Sequence, residues 1–378
     1  MVWTLVLVVV GCGNKDTGAA CKPVVEVVGD GVDQDCDGLD LAYADADGDG
    51  ADARVDCDDQ DPTIHPGALE TAGDGADQDC DGIDMEPAFV GDSPDEGFGA
   101  EITVYPGSDP WIAAPWRGAG LDGALWQGAR RVWEGGAGAR SARSLVVVEG
   151  AVLVGEPGLG LVVDAAGMEK LEGEGVGSAL AARDSRWVSS DRQGARWDDD
   201  LVVALGRAAD RLALDADGTL VVAFVGGEVA VRSGDLEIIR LSAGDEAGYA
   251  LLIGDVGGDG QEELVVGAPG SARVYVLPWS PRPTRLDEGV IIEGEGGRFG
   301  AALALVDGGL WVGAPMDGPL AEGAVFEVEE GVPVRRLSGT SNSQLGFSLA
   351  GEPGRLWVGA PGAPGTPGAV YTLVPASR

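Results

Sequence analysis

Histidine is almost missing from this chain: His65 is the single one among 378 residues. One imidazole leaves little room for general-base chemistry, or for zinc and copper sites that draw on histidine nitrogen. Basic residues are scarce as well, 25 Lys and Arg against 63 Asp and Glu, for a formal charge of -38. A surface this acidic repels a phosphate backbone, so nucleic-acid binding is excluded, while hard cations and basic partners are favoured. Aromatic residues make up only 6% of the chain. The apolar start, MVWTLVLVVVGC, is too short to cross a bilayer as a helix. What the chain has in abundance is 64 glycines and 21 prolines. That composition favours many short strands and tight turns over long helices.

The acidic charge is concentrated, since residues 16–86 hold 19 Asp and 3 Glu against Lys22 and Arg54. The chain therefore reads as a leader, 1–12, an acidic segment, 13–86, and a longer domain, 87–378. Within the leader, Val9-Val10-Gly11-Cys12 resembles a bacterial lipobox, although no Lys or Arg precedes the apolar run. The resemblance implies that Cys12 is lipidated and that the protein sits in the cell envelope, at the outer membrane or cell surface, with secretion as the alternative. Export to an oxidising compartment suits the four remaining cysteines and two disulfides. Cys57–Cys80 and Cys21–Cys36 close the shortest loops, each worth roughly 3 kcal/mol, though the spacing leaves the pairing open.

The acidic segment contains a near-duplicate: GDGVDQDCDGLD at 29–40 returns as GDGADQDCDGID at 73–84. A stretch this poor in aromatics cannot bury enough apolar surface to offset chain entropy, and metal plus cross-links are what could fold it. Asp45, Asp47 and Asp49 alternate, Gly50 follows, and Asp56 is twelfth, which is calcium-loop spacing with Asp in place of the closing Glu. Alternation matters because a loop wrapped around an ion presents every second side chain inward. Partial copies run through Asp33, Asp35, Asp37 and Asp40, and through Asp77, Asp79, Asp81 and Asp84. Asp58 and Asp61 add further carboxylates, and an oxygen-only set favours Ca²⁺. DADGDG…DCDDQDPTIHPGALE…DGADQDCDG resembles the MopE-type metal-binding repeat over roughly 21–85, and more distantly thrombospondin type-3 calcium repeats. The first resemblance implies copper, for which a lone His65 is a poor ligand set; His65 reads as a turn residue before Pro66-Gly67.

From Phe89 onward one pattern recurs: a Phe-Gly turn or variant, then an apolar strand ending in Gly-Ala-Pro or a relative. Strand ends fall at 115, 157, 190, 224, 269, 315 and 361, the last three spaced by 46 and 46. Seven short-strand repeats of this period describe an all-β, seven-bladed β-propeller. Small residues in Gly-Ala-Pro are expected where blades crowd together. Residues 89–375 resemble the FG-GAP repeats of integrin-α-type propellers, clearly in blades five to seven and weakly in blades two to four. The family places calcium in a loop before the Gly-Ala-Pro strand, and 255–263 matches it, which implies Asp255, Asp259, Gln261 and Glu263 as ligands. Gly257 departs from the family's Asn or Asp. Asp215-Ala216-Asp217-Gly218 reads as a plain turn, and Trp111, Trp187, Trp311 and Trp357 as packing between blades.

These readings converge on an exported, lipid-anchored, calcium-binding surface protein, monomeric, whose propeller serves adhesion or captures a protein or glycan ligand. Two alternatives follow: a carbohydrate-active or other enzyme, marked by a central funnel of clustered Asp, Arg and Tyr with strongly shifted pKa values, and a copper-binding or storage protein.

Overall fold

The computed structural model describes residues 45–374 apart from short stretches, the longest being 72–75, 81–86, 118–121, 136–141 and 280–285. Cys12, the Cys21–Cys36 pair, and Asp33, Asp35, Asp37, Asp40, Asp79, Asp81 and Asp84 lie outside the described residues. Two compact units emerge: residues 1–68 with 77–83, and residues 69–76 with 84–378.

The second unit is a seven-bladed β-propeller built from seven antiparallel sheets, and no α-helix occurs among the described residues. Each Gly-Ala-Pro-type run forms the second strand of its blade: Trp111–Ala114, Ala151–Glu156, Arg186–Asp191, Leu220–Phe224, Glu263–Ala268, Gly309–Ala314 and Arg355–Ala360. Blades two to four, faint in sequence, are complete four-stranded sheets. The innermost strands Glu101–Thr103, Leu145–Val148, Leu180–Arg183, Arg211–Leu214, Ala250–Gly254, Ala302–Val306 and Ser348–Glu352 neighbour one another in order and close a ring. Closure comes from Phe89–Val90, which pairs antiparallel with Ala369–Leu373 as the outer strand of the seventh blade. The sixth blade gains a fifth, parallel strand, Glu70–Thr71, so part of the acidic segment packs with the propeller.

Burial explains the sequence pattern strand by strand. Gly309–Ala314 is buried along its whole length, because a second strand is covered on both faces and must read as one apolar run. The inner strand Ala302–Val306 alternates, and the outer strand Val290–Glu293 is largely exposed. Seven apolar clusters lie one at each interface between neighbouring blades. The tryptophans belong to these clusters: Trp111, Trp311 and Trp357 are buried and Trp187 packs at the rim of one, as the packing reading expects.

The need for glycine in Gly-Ala-Pro is steric. A Cβ on Gly313 would sit 2.0 Å from the carbonyl oxygen of Gly346, the glycine of the next blade's Phe-Gly-type turn. Gly267 meets Gly300 in the same way at 2.0 Å, and Gly359 meets Gly99 at 2.1 Å. Backbone therefore packs directly on backbone between blades. At the opposite ends of the inner strands, hairpin turns are tied across blades: Gly257 donates to the Gly308 carbonyl at 2.8 Å, Gly354 to Asp307 at 2.9 Å, and Gly107 to Glu352 at 2.9 Å.

Candidate metal loops and the channel mouth

In the first unit Cys57 and Cys80 form the expected disulfide, with Cα atoms 5.6 Å apart. The Asp45–Asp56 stretch forms the expected loop, and carboxylate oxygens of Asp45, Asp47 and Asp49 lie within 4.8 Å of one another. Asp45 accepts from the backbone N–H of Gly48 at 2.7 Å and of Gly50 at 3.1 Å. Asp49 accepts from Ala51 at 2.7 Å, and Asp56 from Asp58 at 2.8 Å. These bonds use one oxygen of each of the latter two side chains. The others, Asp49 Oδ2 and Asp56 Oδ2, are buried without a hydrogen-bond partner, as is Asp47 Oδ2. Unpaired buried carboxylate oxygens are costly and call for a counter-charge. Burial, then repulsion from Asp49, Asp56 and Asp45, raises the Asp47 carboxyl above its ordinary range. An all-oxygen, multiply charged donor set of this kind fits a hard divalent cation.

Other candidates are placed differently. Asp61 accepts through Oδ1 from the Thr63 N–H at 3.1 Å and the Thr63 hydroxyl at 2.7 Å, which lowers its pKa. Asp58 is exposed and, like Asp77, lies outside the carboxylate group, so neither it nor Asp61 joins the expected set. Asp56 does not reach the mutual spacing of Asp45, Asp47 and Asp49; it lies instead near Cys57 and Cys80, whose disulfide sulfurs offer no thiolate to a metal. His65 Nδ1 lies 3.2 Å from the Pro66 carbonyl oxygen, a turn contact.

The blade-five loop repeats this turn. Asp255 accepts from Asp259 at 3.0 Å and from Gly260 at 2.9 Å, and Asp259 accepts from Gln261 at 2.8 Å. Asp255 and Gly260 thus correspond to Asp45 and Gly50, and both sixth-position glycines have the positive φ the sharp turn requires, +85° and +103°. Glu263 accepts from Val256 at 2.9 Å, and burial followed by repulsion from Asp259, Asp255 and Glu262 raises its pKa. Asp255, Asp259 and Glu263 do not, however, reach the 4.8 Å mutual spacing of the first loop. Asp215 forms the plain turn expected, accepting from Thr219 at 2.6 Å and from Trp279 Nε1 at 2.9 Å.

A third feature was missed by motif reading. The Phe-Gly-type turn delivers two consecutive residues per blade to one mouth of the central channel. Register against the second strands identifies the second of each pair: Glu101 opposite Ala113, Arg211 opposite Ala223, Ala250 opposite Gly267, Ala302 opposite Gly313 and Ser348 opposite Gly359. The residues just before them include Tyr249 and Phe347, and the corresponding position in blade two is Arg143. Glu101, Arg143, Arg211, Tyr249 and Phe347, with Trp116 at the rim, line a cavity of about 310 Å³. An adjoining lobe of about 200 Å³ adds Asp210 and Glu246. The Arg211 and Arg298 guanidiniums lie 5.5 and 4.9 Å from the Tyr249 ring centroid. The opposite mouth holds a cavity of about 450 Å³ lined by Tyr105, Glu149 and Asp184, with no cationic side chain.

Burial pushes Glu101 up to about 7 against the pull of Arg211. The unfolded chain ionises this group near 4.5. Between about 4.5 and about 7 the folded protein therefore holds a proton that the unfolded chain has released. The stability tied to this group is full below that window and declines as pH rises through it. Urea unfolding of the wild type should accordingly lose more stability across the window than Glu101→Gln, which stays neutral. Parallel curves for the two proteins would refute the assignment.

Against known proteins, residues 247–277 match the FG-GAP repeat model. Blade five is thus FG-GAP-like. Residues 16–40 and 56–86 match the Cu-binding MopE metal-binding motif. Asp45, Asp47 and Asp49 fall between those two stretches, and Asp56 opens the second. The FG-GAP match contains the whole Asp255–Glu263 loop, together with Tyr249 of the channel mouth. No curated protein matches the chain. Among solved structures, a chain from the crystal structure of a mitotic checkpoint complex is similar, at 12% identity and a TM-score of 0.50. The match covers 76% of this chain and 92% of that one, and at this identity it supports the fold alone.

Proposed function

We propose that this chain is an exported surface protein in which Ca²⁺ orders the acidic segment and the propeller binds a ligand, for adhesion or capture. The observation that carries the calcium reading is the set of three buried, unpartnered oxygens on Asp47, Asp49 and Asp56. The donor set is carboxylate throughout, which suits calcium better than the copper in the name of the matched motif. Asp255, Asp259, Gln261 and Glu263 form a second, weaker calcium site, since Gly257 supplies no side chain. Anchoring rests on Val9-Val10-Gly11-Cys12, and Cys12→Ser should release the protein from membranes. Parallel calorimetric titrations with Ca²⁺ and Cu²⁺ test the metal. Calcium should bind at one or more sites, and stoichiometric copper binding without calcium binding would overturn the reading in favour of a copper protein.

A second reading, catalysis at the channel mouth, is favoured by Glu101 beside Arg211 and Tyr249. Turnover of a soluble polysaccharide by the wild type but not by Glu101→Gln would establish it. Inertness of both proteins across a polysaccharide panel would remove it.

A further inference from the structure

We propose that the channel mouth around Arg143 and Arg211 binds a single carboxylated sugar, a uronic-acid unit of an otherwise neutral saccharide. The proposal rests on the reading of the propeller as a ligand-binding unit and names the chemistry of its ligand.

The cations come first. In a chain of net charge -38, most propeller arginines among the described residues are tied to a carboxylate, as Arg117 is to Asp92 and Glu96, and Arg335 to Asp317. Arg143 is exposed and has no ion-pair partner among the described residues. Arg211 donates to the backbone carbonyl of Asp210 at 2.9 Å and lies over the Tyr249 ring, but makes no ion pair among the described residues. Two guanidiniums at one cavity, neither within ion-pair distance of a described carboxylate, form a recognition element for a planar, bidentate anion.

The acids beside them set which anion fits. Glu101 lines the main lobe, and Asp210 lines the adjoining one with Glu246, which is paired to Arg298. A phosphate or sulfate cluster with several charges would meet both carboxylates. A single carboxylate on a neutral, hydroxyl-bearing body can place its charge on the arginines and its hydroxyls on Glu101 and Asp210, which accept hydrogen bonds. The aromatic wall completes the match. Trp116 is 40% exposed and sits edge-to-face with Phe347 at 6.1 Å, and Tyr249 forms the facing side. Flat apolar faces above a polar floor suit the C–H faces of a pyranose ring. The main lobe, about 310 Å³, has room for a sugar ring and part of the next.

Register makes the site a property of the fold. The positions that carry Arg143 and Arg211 are filled in blade six by Ala301 and Ala302, and in blade three by Ser178 and Ala179. Blade three thus sets only small side chains between Arg143 of blade two and Arg211 of blade four, which leaves both guanidiniums open to the same cavity.

The test is calorimetric titration of the full protein with the methyl glycoside of galacturonic acid, its methyl ester, and a short neutral peptide with a free C-terminal carboxylate. The acid should bind, and the ester should bind at least about tenfold more weakly, because only the acid carries the charge the arginines read. Arg143→Ala should weaken the acid about tenfold while leaving thermal unfolding unchanged, since that side chain is exposed. Equal binding of acid and ester, or an unaltered affinity in Arg143→Ala, would overturn the proposal. Binding of the peptide alone, lost in Arg143→Ala, would overturn the sugar class and leave the ligand-binding reading of the propeller intact. Silence from all three probes would overturn the anion site, and calcium binding measured on the same sample would show whether the calcium reading survives.

Discussion

Gly313→Ala should destabilise the propeller by roughly 3 kcal/mol, far beyond what one methyl group normally costs. The new Cβ would lie 2.0 Å from the Gly346 carbonyl oxygen, a contact no atom can keep. Because the opposing group is backbone, no rotamer change relieves it; the sixth and seventh blades must separate. That separation opens the cluster containing Trp311, which is 1% exposed, and Val358 from the facing blade. Gly354→Ala is the matched control, a glycine with nothing within 4 Å, whose φ of +70° predicts a loss of only about 1 kcal/mol. Denaturant unfolding should show a much lower midpoint for the first variant with little change for the second. Equal losses would mean that backbone strain, and not contact between blades, explains the glycine.

Asp45→Ala should weaken calcium binding at the first loop by about a hundredfold or more, whereas Asp49→Asn should weaken it about tenfold. Asp45 has two duties: it is a candidate ligand, and it holds the Gly48 and Gly50 N–H groups that shape the turn. Truncation removes both. Asparagine at 49 keeps an oxygen toward Ala51 and gives up the charge alone. With calcium at about a hundred times Kd, binding to the wild type contributes about 2.7 kcal/mol to the folded loop. Backbone hydrogen exchange over Asp45–Asp56 should therefore slow sharply on adding calcium and return to fast exchange with EGTA. Exchange that is identical in both conditions would refute the calcium loop.

The parts of this architecture that follow strict spacing were legible in the chain. The Gly-Ala-Pro strands located every second strand, including those of blades three and four, where Ser190 and Ala223 stand in the glycine's place. Alternating aspartates located the first loop, and loop length located Cys57–Cys80. Asp58 and Asp61 stand apart from the Asp45, Asp47 and Asp49 group, because acidity alone does not say which carboxylates a turn brings together. The channel mouth escaped for a different reason. Arg143 and Arg211 sit where blades two and four lack the Phe-Gly signature, so no local motif marks them. Counting back along the register from the Gly-Ala-Pro strands would have found both, since sheet pairing fixes their place whatever the turn sequence.

The pairing of Phe89–Val90 with Ala369–Leu373 has a bearing on biogenesis. The first of these segments has its docking place on one that emerges almost three hundred residues later. Until then the first and seventh blades each present a bare greasy flank, the two halves of the cluster that joins Phe98 and Ile112 to Trp357 and Val370. Premature compaction by a partial chain would trap an open horseshoe with two sticky ends. The nascent polypeptide must accordingly be kept apart from its siblings until the final hairpin arrives and the circle snaps shut.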